Sequence, residues 1–169
     1  AAAQRIRRAV DGGEKIAVFG DYDVDGVCAT ALMYSYLESL GAEVYYKLPN
    51  RADEGYGLCR ASIDLIASRG ITLIITVDNG VSAAEEVAYA AGLGGDVVVT
   101  DHHLPPAVLP DAAAVVDPQL PGDESPCKAL SGVDCYNRVD YLRQHDDNRS
   151  QFPSAKGKNF QFSYLGMWK

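Results

Sequence analysis

Apolar positions in this chain fall into short dense blocks separated by longer stretches of mixed character. Ile16 to Phe19, Val44 to Leu48, Leu73 to Val77, Val97 to Thr100 and Ala114 to Val116 are compact runs that read as buried strands. Between them, apolar residues recur at helical spacing. Val27 to Leu40 ends at Gly41, Ala61 to Ser68 stops at Gly70 and Ser82 to Ala91 stops at Gly92, each glycine acting as a helix stop. Strand, helix and strand repeated in this order imply a doubly wound α/β fold, a mainly parallel five-stranded sheet with helices on both faces.

In such sheets functional groups gather just past the carboxyl ends of the strands. Polar, ligand-type residues stand there in four consecutive loops. Asp21, Asp23 and Asp25 follow the first expected strand, Arg51 to Gly57 the second, Asp78-Asn79-Gly80 the third and Asp101-His102-His103 the fourth. With 169 residues and 47% hydrophobic content, the chain can bury the core of one such domain. Asp117 to Asp123 is a turn-rich loop and Ala129 to Val133 looks like the start of a further helix. The expected organisation is a folded domain over 1–133 and a divergent, poorly ordered tail over 134–169, with at most one short helix near Val139 to Arg143. The chain begins at Ala1 without a methionine, as an internal piece of a longer protein would.

Composition narrows the function classes only a little. A net charge of -8 argues against a wholly basic nucleic-acid coat, but metal ions held in a cleft reverse the local sign, so nucleic acid stays open as a partner. Cys28, Cys59, Cys127 and Cys135 lack the close spacing of a zinc or redox motif and read as reduced thiols of an intracellular protein. No apolar run approaches the roughly 20 residues that cross a bilayer, and the N-terminus lacks a signal-peptide layout. The expectation is a cytoplasmic protein with no membrane partner.

The candidate chemistry starts with Gly20-Asp21-Tyr22-Asp23-Val24-Asp25-Gly26. Alternating carboxylates in one short loop concentrate negative charge that is costly unless cations occupy the site. The competing reading is a solvated acidic turn that caps the next helix, for which Asp25 is well placed. An EF-hand loop also begins with alternating Asp, but the twelfth position from Asp21 is Leu32 and a strand precedes the loop. The EF-hand is therefore excluded. Asp78 would sit at a strand tip, as a ligand or as an ordinary turn residue. Asp101-His102-His103 offers mixed nitrogen and oxygen donors, suited to Mn²⁺, Fe²⁺ or Zn²⁺ where carboxylates alone would lean to Mg²⁺ or Ca²⁺.

Taken together, Phe19 to Gly26, Val77 to Gly80 and Thr100 to His103 resemble, in order and position, the DHH phosphoesterases, whose name is that last triplet. Pro49-Asn50-Arg51 followed by Glu54-Gly55-Tyr56-Gly57 looks like the second motif of the RecJ branch, the 5′ to 3′ exonucleases specific for single-stranded DNA. The similarity runs from about Ile16 to Val133, and the resemblance implies a DHH catalytic domain over 1–133. The resemblance implies two divalent cations, Mn²⁺ in the first place and Mg²⁺ as the alternative. Asp23, Asp25, Asp78 and His102 would hold them, Asp78 as the bridge, so that a water between the ions is activated for attack on phosphorus. It further implies that His103 stabilises charge on the scissile phosphate, Asp101 orients an imidazole, Asp21 supports the loop and Arg51 clamps phosphate.

Two departures from the family pattern stand out. Phe19 replaces a histidine common among relatives, and nothing in Asp134 to Lys169 matches the further Asp ligand or the C-terminal substrate domain, so the tail looks truncated or substituted. Three functions are carried forward. The first is a RecJ-like hydrolase of single-stranded DNA. The second keeps the site for cyclic dinucleotides, very short RNA or pyrophosphate, against which Glu54 to Gly57 speaks. The third is a catalytically weak domain that binds metal or a partner.

Overall fold

The structure is a computed structural model that describes residues 1–49 and 57–123. Arg51, the segment from Glu54 to Tyr56, the helix expected from Ala129 and the whole 134–169 segment lie outside the described residues. Within them the chain runs α1 (Ala2–Asp11), β1 (Ile16–Phe19), α2 (Val24–Ser39), β2 (Val44–Lys47), α3 (Arg60–Ser68), β3 (Leu73–Val77), α4 (Ala84–Gly92), β4 (Asp96–Thr100) and β5 (Ala114–Val116). All five strands are parallel and are ordered β2-β1-β3-β4-β5. The doubly wound α/β architecture expected from the apolar pattern is the one observed.

Strands β1 and β3 are buried along their whole length because helices cover both sheet faces. Alternate residues divide between two cores. Ile16, Val18, Leu73, Ile75, Val77 and Val98 pack with Ile6 and Ala9 of α1 and with Ala29, Met33 and Leu37 of α2. On the other face Ala17, Phe19, Ile74, Val97 and Val99 pack with Ile63 and Ile66 of α3 and Val87 and Ala90 of α4. Each fully buried Ile, Leu or Phe contributes about 1.5–3 kcal/mol by leaving water.

Helix α1 precedes every element expected from the sequence. Only Ile6, Ala9 and the flanking Ala2 and Val10 mark its apolar face, and its central contact is ionic. Arg5, 9% exposed, donates to both oxygens of Glu14 at 3.1 and 2.8 Å and to Asp96 at the start of β4, and Glu14 also accepts from Thr72 Oγ1 at 2.9 Å. Helix α2 begins at Val24, three residues earlier than the apolar stripe indicates, because Asp23 caps it by accepting from Gly26 N at 2.9 Å. The cap is thus Asp23 and not Asp25, which lies in the first turn.

Candidate metal centre

From β1 the chain passes to β2 on one side of the sheet and then crosses to β3 on the other, so the β1 and β3 tips border the crevice where strand order reverses. The loop after β1 is pressed under α2. A Cβ on Gly20 would run into Thr30 Oγ1 and Leu48 Cδ2, and one on Gly26 would meet the Asp21 backbone at 2.6 Å, so glycine at both positions lets the helix start close on the strand. The result is a buried Asp21, 2% exposed, beside an exposed Asp23 and a half-buried Asp25.

Asp78, at the β3 tip, adopts left-handed backbone (φ 64), a region non-glycine residues visit rarely and Asp and Asn most readily. Its N–H donates to Thr100 O at 3.0 Å, and Gly80 follows with φ 106, tight against the Thr76 side chain. This turn lifts the Asp78 carboxylate into the crevice while leaving it 4% exposed. His102 Nε2 lies 2.7 Å from Asp78 Oδ1, at ion-pair distance but without hydrogen-bond alignment, so that oxygen stays without a donor.

Asp101 is the hub of the loop after β4. Its Oδ2 accepts from Val81 N at 2.9 Å, and its Oδ1 faces His102 N at 2.8 Å, His103 N at 3.2 Å and His103 Nδ1 at 2.7 Å. Those contacts fix the His103 ring, which lies 4.5 Å, centroid to centroid, from the His102 ring. Burial disfavours the charged His103 imidazole, but the hydrogen bond and charge of Asp101 outweigh it and raise its pKa. Burial pushes the Asp78 carboxyl up to about 6, with His102 drawing it back and Asp23 adding to the rise.

Donor atoms converge in two groups, each within 4.8 Å: Asp21, Asp23 and Asp78, and Asp78, His102 and His103. Asp78 belongs to both. Of the residues expected to bind metal, Asp23, Asp78 and His102 are brought together, while Asp25 belongs to neither group. Asp21, assigned a supporting place by sequence, is grouped with Asp23 and Asp78. Asp117, directly after β5, received no role from the sequence. It is 1% exposed, its Oδ1 accepts from Gln119 N at 2.7 Å, its Oδ2 has no hydrogen-bond partner, and burial raises its pKa. The strand-end rule that picked out Asp78 would have found Asp117 as well.

Buried oxygens without donors on Asp21, Asp78 and Asp117 are costly in a purely protein environment. A hard divalent cation relieves that cost, and carboxylate oxygens with imidazole nitrogens are the donor set that Mn²⁺ or Mg²⁺ accepts. The residues present therefore fit such ions. Among the described residues, no helix is long and apolar enough to cross a membrane.

A carboxylate and imidazole cluster at the strand-order switch of a parallel sheet defines a hard-cation centre on a doubly wound α/β domain. The family model described as DHH family, N-terminal domain, matches residues 15–153, and the chain belongs to that family. The single-stranded-DNA-specific exonuclease RecJ of Bacillus subtilis is 47% identical over 132 residues, which cover 78% of this chain and 17% of that protein. A crystal structure of exonuclease RecJ bound to manganese superposes with a TM-score of 0.78 at 32% identity, over 90% of this chain and 38% of that one. RecJ from Thermus thermophilus in complex with Mn²⁺ matches with a TM-score of 0.71 at 28% identity, over 90% of this chain and 21% of that one, and its Mg²⁺ complex with 0.53. These relatives thus hold divalent cations. The chain spans about a fifth of the length of the curated relatives it matches.

Proposed function

We propose that this chain is the metal-binding part of a RecJ-type exonuclease that hydrolyses phosphodiester bonds of single-stranded DNA from 5′ to 3′ in the cytoplasm. In this reading two divalent cations, Mn²⁺ before Mg²⁺, would be held by Asp23, Asp78 and His102, with Asp25 the ligand that the family resemblance adds although its carboxylate stands outside both converging groups. The observation that carries it is the membership of Asp78 in both donor groups, as a bridging carboxylate requires. Cations bound there supply Lewis acidity and bring the pKa of a water toward neutrality.

The chain's own residues do the rest. Asp78, fixed in its left-handed turn, faces both halves of the centre. Asp101 holds His103 Nδ1, which leaves Nε2 as the ring atom that meets a phosphate oxygen. Arg51 takes a phosphate oxygen pair by two-point contact.

The test joins this chain to the C-terminal part of a RecJ relative and supplies Mn²⁺ and end-labelled single-stranded DNA. Degradation from the 5′ end is the expected result. Hydrolysis confined to cyclic dinucleotides or pyrophosphate would move the site to small substrates. Mn²⁺ uptake without hydrolysis of any of them would leave a binding domain.

A further inference from the structure

Asn79 follows Asp78 and takes no part in the chemistry above, yet it is 1% exposed at the centre of the crevice. Its Nδ2 donates to Val77 O at 3.0 Å and to Phe19 O at 3.3 Å. These are the carbonyls of the last residues of β3 and β1, both 0% exposed, so water cannot replace the donor. The Asn79 backbone also bridges to Thr100 at the end of β4. One side-chain amide therefore ties together the two strand tips from which Asp21 and Asp23 depart on one side and Asp78 on the other.

We propose that Asn79 is the positioning residue of the metal centre, holding the β1 loop at the separation from Asp78 that divalent-cation binding needs. This deepens the metal-centre reading and rests on it. The chemistry selects an amide, because a single nitrogen carries two donors in one plane and brings no charge into an acidic crevice. Asp at this position would turn only acceptors toward two carbonyl oxygens. Leu would fill the volume and leave both carbonyls without a donor.

The experiment measures Mn²⁺ affinity by calorimetry, thermal midpoint, and amide hydrogen exchange with the metal chelated, on the parent chain, Asn79→Asp, Asn79→Leu and Leu37→Ala. Leu37, fully buried on α2, is a destabilising control outside the crevice. Both Asn79 variants should lose about 10–100-fold in Mn²⁺ affinity, the usual effect of removing a group that orients ligands. They should also speed exchange in 20–23 and 78–81 together, whereas Leu37→Ala should lower the midpoint and keep the affinity. Should either variant fail to fold, Asn79→Ser, which keeps one donor, decides the matter with an intermediate loss. Asn79 variants that melt earlier but bind Mn²⁺ like the parent overturn the inference alone. A parent chain that takes up no Mn²⁺ sinks the metal-centre reading and this inference with it.

Discussion

The two rims of the sheet handle buried charge in opposite ways. At the amino ends of the strands, the buried Arg5 is matched by Glu14 and Asp96, and Glu14 is further held by Thr72. At the carboxyl ends, Asp21, Asp78 and Asp117 are as deeply buried, and each keeps an oxygen without a hydrogen-bond partner. The backbone differs likewise: Asp78 is the one non-glycine residue with positive φ among the described residues. The paired rim ties α1 to β4 and stabilises the domain, while at the other rim the contact of His102 with Asp78 leaves an excess of carboxylate charge that a bound cation would offset.

The sharpest way to break this contrast is Asp78→Asn, because Asn tolerates left-handed backbone and matches Asp in size while removing the charge and one acceptor oxygen. Mn²⁺ affinity should fall by about 100-fold or more. The metal-free chain should melt higher than the parent at neutral pH, since a buried carboxylate has gone. Calorimetry and thermal melting in chelator read the two effects, and a variant that binds Mn²⁺ as the parent does would remove Asp78 from the centre.

Arg5→Ala is the matching change on the paired rim. It should lower stability by about 1–3 kcal/mol, because the carboxylates left behind reach water in part, and leave Mn²⁺ affinity unaltered. Chemical denaturation of both proteins checks this. An Arg5→Ala chain of parental stability would show that α1 is held by its apolar contacts alone.

The smallest expected effect is in pH dependence, where the rims have opposite sign. The hydrogen bond from Arg5 lowers the Glu14 pKa below its ordinary 4.5, so its stabilisation is present above that value and lost as pH falls through the lower folded-state pKa. Burial raises Asp78 from 3.8 to about 6, so in the metal-free chain its contribution is complete below 3.8 and is lost as pH rises through about 6. Melting midpoints in chelator should therefore decline from about pH 4 to 6 more steeply in the parent than in Asp78→Asn, where the raised Asp117 carboxyl remains. Glu14→Gln should flatten only the acid side.

The central strands β1, β3 and β4 were legible in the sequence because such parallel strands are apolar on both faces, a pattern that is local and dense. Although β2 is only partly buried and not the buried strand expected, it and the other edge strand, β5, were legible from their β-branched and aromatic residues. Helix α1 was not, since its buried face includes Arg5, whose partners Glu14 and Asp96 mean nothing as a pair until β4 is placed. The start of α2 moved because capping by Asp23 is a geometric fact about one carboxylate and one N–H.

Residue order alone carried the class of site: acids and imidazoles at successive strand ends, in an arrangement that resembles the DHH phosphoesterases. How those residues group came from the packed molecule. Asp21 joined Asp23 and Asp78, Asp25 stayed outside both groups, and Asp117 and Asn79 emerged in the same rim. The physical reason is that the strand order β2-β1-β3-β4-β5 brings the tips of β1 and β3 together across about 57 residues of chain, and proximity of that kind leaves no local pattern in sequence. Burial acts in the same way, because whether a carboxylate keeps an oxygen unpaired depends on every element packed around it.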